Sequence, residues 1–241
     1  MIDRYGRNIN KLRVSVTEAC DLACVYCVDR LGAHRVAPDQ LTHPSLLKLV
    51  GFLKNHAGIE KIRVTGGEPL VYPHLLEFIS GLTALGLDDI GLTTNGQHLA
   101  KKVTGLKAAG LKHINVSLDS LKPEGFRRLA RTGHLHKTLE GLEAALAIGL
   151  RVKINMVVMK GENDSEVVEM LEYGVARGIE VRYLELMKMG PLFKRQTDLF
   201  FPMEAILKQI SSRYPIRPTK ASEDSTSPSK KAFACWVKAS P

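Results

Sequence analysis

The chain has 241 residues, 44% of them hydrophobic and 24% charged, which allows one substantial domain with at most a small appendage and excludes global disorder. Lys and Arg number 34 against 25 Asp and Glu, a net charge of +9, so an anionic partner is expected: nucleic acid, an acidic membrane surface or a phosphorylated small molecule. No run approaches the ~18–20 apolar residues of a membrane span, and the stretch from Met1 to Arg7 lacks the apolar core of a secretory signal, so a cytoplasmic protein is expected.

Apolar, β-branched runs predict strands at Leu12–Val16, Lys61–Thr65, Ile90–Thr94, His113–Leu118, Val152–Val158 and Val181–Leu186. Stretches of helical period alternate with them: Pro44–His56 (Leu46, Leu47, Val50 and Leu53 on one face), Tyr72–Leu85 (Leu75, Leu76, Ile79, Leu82), His98–Ala109, Lys137–Ile148, Ser165–Arg177 and Pro202–Ser212. Asp164 or Asn163 is the expected N-cap of the fifth of these, with Glu166 in its first turn. Gly58, Gly86, Gly110, Gly149 and Gly178 each follow a helix and precede a strand, as left-handed C-caps do. The β-α alternation implies parallel strands with helical crossovers, in an open sheet or a partial barrel. Arg217–Lys231 contains no Leu, Ile, Val, Met or aromatic residue and reads as a linker or disordered tail. The short apolar patch after it, Ala232–Val237, is either a final strand or the start of something further. A core domain over 1–214 and a tail over 215–241 follow.

The strands carry a polar stripe. Residues two apart share a face, and Arg13 with Ser15, Arg63 with Thr65, Asn115 with Ser117 and Asp119, Lys153 with Asn155, and Arg182 fall opposite apolar neighbours. A parallel strand covered on both sides is almost continuously apolar. The stripe is therefore either a solvated antiparallel face or the polar lumen of a barrel that holds a ligand at its carboxyl end. A lumen with these cations favours a small polyanion, and a partner charge is expected for any that are buried.

Cys20, Cys24 and Cys27 form CxxxCxxC in the loop after the first strand. Three thiolates in a tight loop suit an iron–sulfur cluster with one iron left open to a small chelating molecule. A zinc site, with His34 or another residue as fourth ligand, and three incidental cysteines are the other readings. The second strand ends in Gly66-Gly67-Glu68-Pro69, where paired glycines let the backbone approach a ligand and Glu68 offers an acceptor to an ammonium group. His34, His56, His98 and His113 read as surface or core histidines. No basic helix or aromatic-interleaved motif points to nucleic acid.

The run from Ser15 to Cys20, then Cys24-Val25-Tyr26-Cys27, then the run from Thr65 to Leu70 resemble the radical S-adenosylmethionine (SAM) superfamily, and within it the GTP 3′,8-cyclase family of molybdenum cofactor biosynthesis. Gly91–Gly96, Ile114–Asp119, Val152–Asn155, Lys160–Asp164 and Ile179–Tyr183 extend the match, which runs from about residue 3 to 190. The resemblance implies a partial (β/α)6 TIM-like barrel. It implies that Cys20, Cys24 and Cys27 hold one [4Fe-4S] cluster whose open iron chelates SAM, which is reductively cleaved to a 5′-deoxyadenosyl radical. It assigns Tyr26, Gly67, Glu68, Thr94, Ser117, Lys153 and Met187 to SAM, and Arg13, Lys61, Arg63 and Arg182 to GTP or another anionic nucleotide. It further implies hydrogen abstraction from the ribose C3′, attack on guanine C8, an electron donor such as flavodoxin or ferredoxin, a homodimer, and no nucleic-acid or membrane partner.

The match departs from the family in places. Cyclases carry a second cluster, with a CxxC pair and a third cysteine, in a carboxyl-terminal region ending in Gly-Gly. Here Cys235 stands alone in Ala-Cys-Trp, the sequence stops at Pro241, and Val71-Tyr72-Pro73-His74 occupies the place of a usual arginine. The expectations are thus a fragment of a full cyclase, a short radical enzyme acting on another purine, a peptide or a protein, or a non-enzymatic iron–sulfur protein.

Overall fold

The structure is a computed structural model; it describes residues 2–29, 41–220 and 231–235. Six strands, β1 (Lys11–Ser15), β2 (Lys61–Thr65), β3 (Asp89–Thr94), β4 (His113–Ser117), β5 (Arg151–Val158) and β6 (Glu180–Glu185), form one sheet. Their spatial order is their chain order, and every pair is parallel. The solvated antiparallel face is thereby excluded. Helices α1 (His43–Ala57), α2 (Leu75–Ala84), α3 (Leu99–Ala108), α4 (Pro123–Ala130), α5 (Leu135–Ala147) and α6 (Val167–Ala176) lie in the connections. They are followed by α7 (Gln196–Leu199) and α8 (Met203–Ser211).

The core sits between the outer strand face and the helices. Val14, Ile62, Val64, Ile90, Leu92, Ile114, Val116, Ile154, Met156 and Val158 are buried there against Leu46, Phe78, Leu82, Leu106 and Leu142. The α1 face is close to expectation, with Leu46 and Val50 buried and Leu47 and Leu53 packed at its margin. On α2 the period is met by Leu75, Phe78, Ile79 and Leu82, while Leu76 points outward at 39% exposure. All five helix-ending glycines have positive φ, from 66° to 116°.

Three expectations need correction. The α6 start is not capped by Asn163 or Asp164. A short 3-10 turn, Asp164–Glu166, precedes the helix, and Asn163 instead accepts from Met159 N and donates to the Asp119 and Val157 carbonyls. Helix α4 was not among the expected helices: Phe126, Leu129 and Ala130 stand at helical spacing, but eight residues fall short of the window over which a period is read. Finally, 217–220 is not all linker. Strands β7 (Ile216–Lys220) and β8 (Lys231–Cys235) pair as an antiparallel hairpin with Ile216 opposite Cys235. Ile216, one residue before the apolar-poor stretch, packs against the main core. Residues 221–230 and 236–241 lie outside the described residues.

Candidate active site

The cysteine loop leaves the carboxyl end of β1 and is stitched to the carboxyl end of β2. Gly67 N donates to Thr17 O at 2.6 Å and Glu68 N to Ala19 O at 2.8 Å. A Cβ on Gly66 would lie 2.5 Å from Thr17 O, and one on Gly67 2.3 Å from Ala19 O and 2.5 Å from Glu18 O. The two glycines thus bring β2 against the backbone that carries Cys20, an approach no side chain permits. The close approach that the paired glycines allow is made here to the cysteine loop.

Glu68 holds the next layer. Its carboxylate, 1% exposed, accepts from Leu70 N (2.9 Å), Thr94 Oγ1 (2.6 Å) and Asn95 N (2.6 Å). Burial pushes its pKa up to about 7, against the opposing pull of those three donors. Glu68 and Thr94 therefore brace the ends of β2 and β3 against each other. Asn95, which they position, turns its amide to Asp21 Oδ1 at 2.7 Å and lies 4.0 Å from Cys20 Sγ. Asp21 also pairs with His98 Nε2 at 3.1 Å. Asn95, Asp21 and His98 were not singled out as site residues, although Asn95 lies in one of the matched segments.

Cys20 and Cys24 are half-buried and Cys27 is exposed. Burial raises the Cys20 thiol to about 11 and the Cys24 thiol to about 12, and the three cysteines lie near enough that charge on one disfavours charge on another. A metal bound to these thiols would have to expel their protons. Among the described residues, no three His, Cys, Asp or Glu side chains converge on a single ion. Three cysteine thiols in one loop are a donor set suited to an iron–sulfur cluster, in which each thiolate takes a different iron. His34 lies outside the described residues.

Tyr26 reaches across the mouth of the barrel and donates to Asp119 Oδ2 at 2.7 Å, while Asp119 Oδ1 accepts from Val157 N at 2.8 Å. Burial raises Asp119 to about 6. Cys24, Tyr26, Asn95, Ser117 and Asp119, with Leu22, Phe126, Leu129 and Ala130, line a cavity of about 30 Å³ beneath the loop. Cys20, Cys24, Cys27, Tyr26, Gly67, Glu68, Thr94 and Ser117 therefore gather at the carboxyl ends of the strands. Met187, just past β6, is 69% exposed.

The remaining cations sit deeper along the stripe. The register sets Arg13 beside Arg63 and Lys61 beside Asp89. Lys61 Nζ lies 3.6 Å from Asp89 Oδ2, and Asp89 Oδ1 lies 3.4 Å from His113 Nδ1. Arg63 is 9% exposed and spreads over Gly91, whose Cβ would lie 1.5 Å from the Arg63 guanidinium. Arg13, on the edge strand, is exposed. Lys153 and Arg182 share Glu180, at 2.8 Å and 2.6 Å. Glu180 is thus the partner charge of Lys153 and Arg182, and Asp89 that of Lys61; the strand pattern had identified neither. Two groups emerge: a sulfur-bearing mouth, and a cationic lumen below and beside it.

Residues 14–174 match the radical SAM superfamily. The chain is similar to a GTP 3′,8-cyclase of Hydrogenovibrio crunogenus, 43% identical over 214 residues that make up 87% of this chain and 64% of that protein. It is similar to another from Syntrophomonas wolfei, 41% identical over 229 residues, 91% of this chain and 68% of that protein. The chain thus spans about two thirds of the length of these curated relatives, and slightly less in the first. Among solved structures it resembles SuiB of Streptococcus suis bound to the precursor peptide SuiA, with a TM-score of 0.63 at 18% identity over 85% of this chain and 46% of that one. That likeness speaks for the barrel alone.

Proposed function

The chain belongs to the radical SAM superfamily, and we propose that it holds one [4Fe-4S] cluster on Cys20, Cys24 and Cys27 and acts in a GTP 3′,8-cyclase reaction. When bound, the cluster supplies the electron that cleaves SAM. The observation that carries this reading is the joining of the CxxxCxxC loop to the Gly66-Gly67-Glu68 turn, directly over a lumen lined by cations. The chain's own residues have separable tasks. Asn95 turns its amide toward the Cys20 sulfur, and Glu68 and Thr94 fix Asn95 there. Tyr26 and Asp119 hold the loop down over the mouth. Gly67, Ser117, Lys153 and Met187 are the further SAM-facing positions, by resemblance. Arg13, Lys61, Arg63 and Arg182 present guanidinium and ammonium donors suited to a triphosphate.

Anaerobic reconstitution tests this. We expect about four irons per chain, 5′-deoxyadenosine formed slowly under reductant, and a cyclic product when GTP is added. Zinc in place of iron overturns the cluster reading. Deoxyadenosine without any product from GTP overturns the substrate and leaves the cluster.

A further inference from the structure

Helix α4 ends in a way that the other helices of the barrel do not. Where α1, α2, α5 and α6 turn through glycines at positive φ, α4 turns at Arg131, with φ 61° and ψ −35°. Among the described residues it is the one non-glycine at positive φ. That backbone is strained for any residue bearing a Cβ, and glycine relieves it at no steric cost. An arginine held there requires a reason outside the backbone.

The reason lies in what the segment touches. Residues 129–132 run along the cysteine loop. Val25 N donates to Leu129 O at 2.9 Å, Ala23 N to Ala130 O at 3.1 Å, and Thr132 Oγ1 to Asp21 O at 3.0 Å. Past Val25 the loop tightens into a turn in which Cys27 N and Val28 N both donate to Cys24 O, at 2.9 and 3.1 Å. The Arg131 guanidinium reaches this turn and donates to Val28 O at 3.0 Å. Glycine at 131 would ease the backbone and leave Val28 O without this donor. The contact also sets a fixed positive charge beside a loop that would carry thiolates.

We propose that Arg131 is a positioning residue of the cluster loop: it tolerates a strained backbone so that its guanidinium can tether the turn bearing Cys27. The inference rests on the iron–sulfur reading for its functional meaning, but the tether itself is testable without iron.

The test compares the full chain as wild type, R131G, R131N and R131K. Both glycine and asparagine remove the guanidinium, glycine relieving the strained backbone and asparagine keeping a Cβ on it; lysine keeps a charged donor. In the iron-free protein, amide hydrogen exchange at Cys27 and Val28 should quicken on the order of ten-fold in R131G and R131N, as loss of one charge-assisted hydrogen bond implies, and be partly restored in R131K. After anaerobic reconstitution, iron should pass to a chelator about ten-fold faster in R131G. The cluster midpoint potential should fall in R131G and stay near wild type in R131K, which a purely structural role would not produce. Wild-type exchange at Cys27 and Val28 in both R131G and R131N, or a potential that ignores the charge, overturns the proposal. If the wild type takes up no iron, the cluster reading fails, and the exchange rates still decide the tether.

Discussion

Gly67→Ala is the sharpest test of how the site is built. The new Cβ would sit 2.3 Å from Ala19 O, 2.5 Å from Glu18 O and 2.8 Å from Ala19 C. All three are backbone atoms, so no rotamer change relieves the clash. Reaching even 3.0 Å requires β2 and the cysteine loop to separate by roughly 0.7 Å, well past ordinary packing tolerance. The same displacement stretches Gly67 N to Thr17 O and Glu68 N to Ala19 O, now 2.6 and 2.8 Å, to the limit of hydrogen bonding. Each bond contributes about 1 kcal/mol net, and more when a buried partner is left unsatisfied, so a loss of about 2–4 kcal/mol is expected. For a chain of this size that corresponds to a fall of about 5–15 °C in Tm. The assay is thermal unfolding of the iron-free protein, followed by iron content after reconstitution. Gly51→Ala is the control. Its Cβ would make only ordinary contact, 3.4 Å from a Leu85 methyl, inside α1, so stability should be unchanged or slightly higher. A Gly67→Ala protein with wild-type Tm and full iron would refute the claim that these glycines exist for the loop.

Stability of the iron-free protein should depend on pH in a particular sense. Glu68 and Asp119 are raised to about 7 and about 6, so the folded state keeps protons that the unfolded chain releases from about pH 4 upward. Their contribution is complete below their unfolded pKa values and is lost as pH rises through 6 to 7; urea midpoints should fall across that window, and Glu68→Gln should flatten the fall. Gly91→Ala forces the Arg63 guanidinium aside; calorimetry should show weaker GTP binding while iron content stays at the wild-type level. Phe78→Ala, at a fully buried position in α2, should cost about 3–5 kcal/mol in chemical denaturation without altering iron stoichiometry in the protein that remains folded. Cys24→Ala should leave no stable cluster, read as loss of the iron–sulfur absorbance.

The parallel strands and most helices were legible because β-branched runs and a 3.6 period are properties of neighbouring residues. The polar stripe was legible for the same reason, and it placed Arg13, Arg63, Lys153 and Arg182 on one face before any contact was known. What escaped were interactions between distant segments. Glu180 follows no pattern that marks it as the counter-charge of Lys153, 27 positions earlier; only the β5–β6 register sets them opposite. Asn95 and Asp21 meet because the glycine turn draws two loops together. Helix α4 was missed because eight residues are too few to establish a period, and its strained end shows only in the backbone angles.

The sharing of Glu180 between Lys153 and Arg182 bears on whatever enters the barrel. One carboxylate at 2.8 and 2.6 Å from two cations leaves the trio with a net positive charge. An anion that enters beside it is attracted by the uncompensated charge and at the same time competes with Glu180 for the same donors. The acid between two bases thus keeps both side chains in place while leaving the wall attractive to negative charge.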